Sequence, residues 1–127
     1  MRALLADDQA WLRSALRLLL EQEPDIEVVG EAANVQALLP LLRHLRPDLL
    51  FLDWQLPGAD KASVRQRLLN TLRAIHPSVY IVALTNDDSA FCRLKAPGAD
   101  AYISRAEPPE HVLAVVRQTA AARARGH

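Results

Sequence analysis

With 127 residues, half of them hydrophobic, the chain fits one domain with a substantial core. Its fifteen basic and fifteen acidic side chains cancel, so no global field draws it to nucleic acid or anionic lipid, and neither is an expected partner of this segment. The single Cys92 excludes an internal disulfide and fits a small apolar helix residue in a reducing, cytoplasmic compartment.

Short apolar runs alternate with longer helical patterns, which predicts βα units and a parallel sheet. The first strand is expected at about 2–6, and Asp7-Asp8 follow it too early for a secretory apolar region to form. A helix over 10–22 carries Leu12, Ala15, Leu16, Leu19 and Leu20 as a stripe. A second strand at 26–30 leads to a helix at 35–46, where Pro40 should remove one hydrogen bond and kink or delay the helix. The third strand, 48–52, delivers Asp53 immediately after its end.

A helix over 62–75 should stop at His76-Pro77, because the residue before proline is pushed out of the α region. Val79-Tyr80-Ile81-Val82-Ala83-Leu84 is nearly all apolar, as a strand buried on both faces should be, and Thr85 follows it. A short helix over 87–95 is cut off by Ala96-Pro97-Gly98, and the weakest strand lies at 100–103. Glu107-Pro108-Pro109-Glu110 opens a last helix over 109–123, with Glu110 near its positive dipole end. Residues 120–127 read as the end of that helix running into a linker. The apolar runs are too short to span a membrane. His44, His76, His111 and His127 show no metal-ligand spacing and are expected at the surface.

Ligands of open parallel sheets bind at the C-terminal ends of the strands. Asp7, Asp8, Asp53, Thr85 and Arg105 would gather along that edge. Three carboxylates there repel unless a cation neutralises them, which asks for a hard divalent metal such as Mg²⁺. A carboxylate nucleophile, a metal-binding acidic pair, a hydroxyl and a cation suit phosphoryl transfer, where charge on the equatorial oxygens must be stabilised.

Leu4-Leu5-Ala6-Asp7-Asp8, Leu49-Leu50-Phe51-Leu52-Asp53 with Leu56-Pro57-Gly58, Val82-Ala83-Leu84-Thr85 and Gly98-Ala99-Asp100-Ala101-Tyr102-Ile103 occur in this order. In these motifs the chain closely resembles the receiver domain of two-component response regulators. Val28-Val29-Gly30-Glu31-Ala32 and Leu45-Arg46-Pro47-Asp48 resemble most the receivers that precede a LuxR-type helix-turn-helix. The resemblance implies a three-layer, doubly wound α/β fold of the flavodoxin/CheY-like kind, with a five-stranded parallel sheet of order 2-1-3-4-5. It also implies a receiver over 1–119, with 120–127 leading toward an output domain.

By the same resemblance, Asp53 would accept a phosphoryl group from a sensor histidine kinase or phosphotransfer protein. Asp8, Asp53 and the backbone carbonyl of Gln55 would hold Mg²⁺, with Asp7 ligating through water. Thr85 would donate its hydroxyl to a phosphoryl oxygen, and Tyr102 would then rotate inward. Catalysis would be limited to self-phosphorylation and dephosphorylation. Self-association into a homodimer through a helical face is also implied.

The chain departs from the pattern at several places. Arg105 stands where the family nearly always has lysine, and a planar, forked guanidinium is not an ammonium. It would either pair with the phosphoryl group or lie at the surface with that role lost. Asn86 stands where a small residue is usual, and would narrow access to Asp53, cap the following helix, or both. Gln55 would lie over the site and tune acyl-phosphate lifetime. The Thr85–Tyr102 segment is shorter than usual, the Pro57–Pro77 segment about one helical turn longer, and Lys61 replaces a common glycine. Trp54 would pack on a neighbouring helix or contact a partner.

These departures favour one competing reading, a pseudo-receiver acting as a phosphorylation-independent interaction module. A haloacid-dehalogenase-type phosphohydrolase would need a carboxylate two residues after Asp53, where Gln55 stands. A dinucleotide-binding enzyme would need Gly-x-Gly-x-x-Gly after the first strand.

Overall fold

The computed structural model describes residues 1–86, 94 and 97–125. Five strands and four helices are set out: β1 (Arg2–Ala6), α1 (Ala10–Leu20), β2 (Glu27–Ala32), α2 (Val35–Leu45), β3 (Leu49–Asp53), α3 (Ala62–Ile75), β4 (Tyr80–Thr85), β5 (Ala101–Ser104) and a C-terminal helix, α4 (Glu110–Arg125). The helix expected over 87–95, with Cys92, lies outside the described residues apart from Leu94.

All strand pairs are parallel, in the order β2-β1-β3-β4-β5. Because strand side chains alternate between faces, each central strand feeds two cores. Leu4, Ala6, Leu50, Leu52, Ile81, Ala83 and Tyr102 pack with Leu38 and Leu42 of α2 and Leu68, Leu69 and Leu72 of α3. Ala3, Leu5, Leu49, Phe51, Val82, Leu84 and Ile103 pack on the other face with Leu20 of α1 and Val112 and Val116 of α4. The result is the three-layer, doubly wound arrangement that the alternating pattern predicts, with β3 buried along its whole length.

The register of β1 on β2 slips between Ala3 and Leu4, leaving Val29 unmatched. Gly30 fits beside the slip because a Cβ there would stand 3.0 Å from Leu4 Cδ1 and 3.1 Å from Leu45 Cδ1.

Several expectations shift. The last four strands each start one residue later than expected, and β3 and β4 also end one residue later, because Asp53 pairs with Leu84 and Thr85 with Ser104 within the sheet. Asp53 and Thr85 are therefore the final residues of their strands, not the first residues after them. Pro40 does not delay α2, which begins at Val35 with the Asn34 side chain accepting from the Ala37 N–H at 2.8 Å. The carbonyl that proline deprives of a partner is that of Gln36, an exposed residue, so water can satisfy it.

His76 is buried rather than superficial. It ends α3, and its Nε2 lies 2.7 Å from the Pro47 carbonyl while Nδ1 lies 3.5 Å from Arg46 Nη2. A carbonyl only accepts and a guanidinium only donates, so the proton sits on Nε2 and Nδ1 accepts. His44 and His111 are exposed as expected. Among the described residues no helix is long and apolar enough to cross a membrane.

Candidate functional site

The order β2-β1-β3 places the chain reversal between β1 and β3, where ligands of such sheets bind. Asp7 leaves β1 there, with its N–H donating to the Ala32 carbonyl at 3.0 Å. Asp53 ends β3, and the Trp54 N–H, donating to the Leu84 carbonyl at 2.9 Å, ties the exit of β3 to β4. The Arg105 N–H donates to the Thr85 carbonyl at 2.8 Å, fixing the exit of β5 beside β4. Strand order alone thus carries four of the predicted residues to one edge.

Asp7 and Asp53 are only 3% and 5% exposed, whereas Asp8 stands at the mouth in solvent. One carboxylate oxygen from each of the three lies within 4.8 Å of the others. Burial pushes the Asp53 carboxyl above the usual carboxylate range. The Gln55 N–H and Arg105 pull it back, while the neighbouring Asp7 and Asp8 charges push it up further. The Gln55 N–H donates to Asp53 Oδ1 at 2.9 Å, and the Gln9 N–H donates to Asp7 Oδ1 at 2.9 Å.

An all-carboxylate set, two of its members buried, suits a hard divalent cation bound through oxygen. Both oxygens of Asp7 already accept protein hydrogen bonds, one from Gln9 and one from Arg105.

Arg105 turns into the site rather than away from it. Nη2 pairs with Asp7 Oδ2 and lies 3.4 Å from Asp53 Oδ1, and Nη1 donates to Asn86 Oδ1 at 3.0 Å. Asn86 Nδ2 reaches Gln55 Oε1 at 3.5 Å, so Arg105, Asn86 and Gln55 form a polar rim across the mouth. The Thr85 hydroxyl is turned toward β5, 3.5 Å from the Ile103 carbonyl.

Tyr102 is already inside the molecule, with its hydroxyl accepting the Ala99 N–H at 3.0 Å. Its ring meets Trp54 edge-on, so Trp54 packs in the core, and the Arg65 guanidinium lies 5.0 Å over the Trp54 ring.

Sequence reasoning missed Arg13. Its Nη1 donates to the Asp7 carbonyl at 2.5 Å while Nε pairs with Glu31 at 3.0 Å, and Arg17 holds the same carboxylate. The i,i+4 spacing of Arg13 and Arg17 on one helix was the available signal. An apolar cavity of about 430 Å³ opens between α1 and α4, lined by Leu12, Leu16, Leu19, Phe51 and Ile103, with Asp7 and Arg105 at its edge.

The family model for the response regulator receiver domain matches residues 3–117. The nitrate/nitrite response regulator protein NarL of Escherichia coli K12 is 31% identical over 118 residues, covering 93% of this chain and 54% of that protein. The oxygen regulatory protein NreC of Staphylococcus epidermidis is 31% identical over 120 residues, covering 92% and 53%. The chain therefore spans about half the length of these curated relatives.

Among solved structures, a LuxR-family two-component response regulator from Aurantimonas sp. SI85-9A1 superposes with a TM-score of 0.78 at 29% identity, covering 94% of this chain and 85% of that one. The isolated receiver domain of RcsB from Salmonella enterica serovar Typhimurium, solved with the phosphomimetic BeF3-, gives a TM-score of 0.76 at 25% identity, covering 93% and 88%. The chain belongs to the response regulator receiver domain family of two-component systems.

Proposed function

We propose that the chain is a phosphorylation-dependent switch in which Asp53 accepts a phosphoryl group from a histidine kinase or phosphotransfer protein. One observation carries this reading: carboxylate oxygens of Asp7, Asp8 and Asp53 converge within 4.8 Å at the chain reversal of the sheet. The Asp53 carboxylate would attack phosphorus in line as the P–N bond to the donor's histidine breaks, leaving an acyl phosphate on Asp53 and the imidazole on the donor. Mg²⁺, held by Asp8, Asp53 and the Gln55 carbonyl with Asp7 ligating through water, would offset the charge on the transferring oxygens.

The chain's own groups do the rest. Gln55 donates its N–H to Asp53 Oδ1 and so orients the carboxylate. Thr85 would turn its hydroxyl from β5 toward a phosphoryl oxygen, and Arg105, already 3.4 Å from Asp53, would pair with the group bidentately. Gln55 and Asn86 at the rim would control the entry of water. Residues 1–119 form the receiver in this reading, and 120–127 lead to an output domain that would carry any DNA binding. A cytoplasmic location and a homodimer belong to the same reading. The test is phosphate incorporation from a small acyl-phosphate donor, which should require Mg²⁺ and vanish in Asp53→Asn.

The guanidinium seated on Asp7 favours a second reading, a pseudo-receiver that binds partners without phosphorylation. Metal binding without phosphotransfer, with partner affinity unchanged in Asp53→Ala, would select it.

A further inference from the structure

Asp7 and Asp53 are buried, close together and of like charge, and such a pair needs a positive partner. In this chain one is built in. Arg105 Nη2 pairs with Asp7 Oδ2 and lies 3.4 Å from Asp53 Oδ1, in the gap between the two carboxylates. The other arm of the fork is also held, since Nη1 donates to Asn86 Oδ1 at 3.0 Å. The root of the side chain is fixed by the Arg105 N–H on the Thr85 carbonyl. The planar fork places these partners on two separate nitrogens, where an ammonium would donate from one, and a guanidinium does not yield by losing its proton.

A small divalent cation needs oxygens at about 2.0–2.1 Å in a near-octahedral shell. The guanidinium nitrogen stands against two of the carboxylates such a shell would draw on. Its charge also repels the incoming ion. We propose that Arg105 is a resident cation of the acidic pocket, latched by Asn86, which neutralises Asp7 and Asp53 without metal and must withdraw before a divalent cation can bind. Asn86 is then a positioning residue acting through Arg105. The proposal rests on the metal-site reading given above and adds an internal competitor to it.

The test is Mn²⁺ titration of the full chain, with free ion read by its electron paramagnetic resonance signal. Mn²⁺ shares the oxygen preference and octahedral geometry of Mg²⁺. Arg105→Ala should tighten Mn²⁺ binding roughly tenfold, given the strength of like-charge repulsion at this range. Arg105→Gln serves where alanine does not fold. Asn86→Ala changes no charge, yet should tighten binding several-fold by freeing the guanidinium. Both gains should persist at high salt, because a direct contact on two buried carboxylates is screened little.

Unchanged affinity in both variants overturns the proposal. So does a gain confined to Arg105→Ala that disappears at high salt, which would be a remote field effect and not occupancy. Asp8→Asn separates the two layers of the argument. Mn²⁺ binding that survives Asp8→Asn undiminished would overturn the metal-site reading, and the competitor with it. Binding lost in Asp8→Asn but indifferent to Arg105 and Asn86 would leave the metal site standing and overturn the competitor alone.

Discussion

The ring of Tyr102 stands edge-on to the ring of Trp54, with centroids 5.8 Å apart and planes at 78°. The residue that follows Asp53 is therefore packed directly on the last strand, on the side of the sheet that faces α2 and α3. A single packed contact thus joins the residue beside Asp53 to Tyr102. Tyr102→Phe keeps the ring pair and removes the hydroxyl that accepts the Ala99 N–H, so it should cost about 1 kcal/mol. Tyr102→Leu should cost roughly 0.5–1.5 kcal/mol more, the worth of an aromatic pair beyond its area. Urea unfolding of the two variants checks the order, and equal midpoints would deny the ring pair any role.

The raised Asp53 carboxyl sets a pH dependence of stability. Burial is the main cause, and it disfavours the charged form in the folded state only. Between the unfolded and folded pKa values the folded state holds more protons, so stability falls as pH rises through that window. Above the folded pKa the full cost of the buried charge remains. In metal-free buffer, Asp53→Asn should therefore melt higher than the parent chain at neutral pH. The difference should shrink on acidification below the unfolded carboxylate value. A lower melting temperature for Asp53→Asn at neutral pH would mean that the Arg105 pairing outweighs the desolvation.

Asn86 and Gln55 form the accessible side of the rim. If they limit the approach of donor and water, Asn86→Ala should raise both the rate of phosphorylation and the rate of acyl-phosphate hydrolysis several-fold. Gln55→Ala should act mainly on hydrolysis, since its N–H on Asp53 is a backbone contact that the substitution leaves in place. Decay of the phosphorylated chain by intact mass measures both. A longer lifetime in Asn86→Ala would remove the access argument.

Phe51 is fully buried on the α1/α4 side of β3. Phe51→Ala should cost about 3–5 kcal/mol by lost transfer energy and residual cavity. Because the cavity between α1 and α4 already adjoins Phe51, the cost should fall at the lower end if α1 can settle inward. Equilibrium denaturation gives the value, and a loss under about 1 kcal/mol would show that this layer is poorly packed.

How much of this was legible in the sequence depends on how local each signal was. The strands were readable because runs such as 49–52 and 81–84 are apolar at every position, which a parallel sheet buried on both faces demands. The acidic triad was readable because strand ends fix where Asp7 and Asp53 go. The direction of Arg105 was not, because a long side chain at a strand exit can turn in or out with equal backbone geometry. What turns it inward is Asp7, 98 positions away in the chain, together with Asn86.

His76 was misread for the same reason. Its partners, Arg46 and the Pro47 carbonyl, are 30 and 29 positions away, so a histidine without metal-ligand spacing went to the surface by default. Pro40 was judged by its own helix, whereas its cost depends on the exposure of Gln36 one turn earlier. Strand starts slipped by one residue because pairing partners, and not hydrophobicity, set where a strand begins.

The most direct test of the account is to locate the phosphate. The chain, treated with a small acyl-phosphate donor and Mg²⁺, should gain one phosphate that hydroxylamine removes, as an acyl phosphate requires. Peptide mapping after reductive trapping should place it on Asp53, and Asp53→Asn should take up none. Phosphate at another residue, or none from any donor while Mn²⁺ still binds at Asp8 and Asp53, would contradict it.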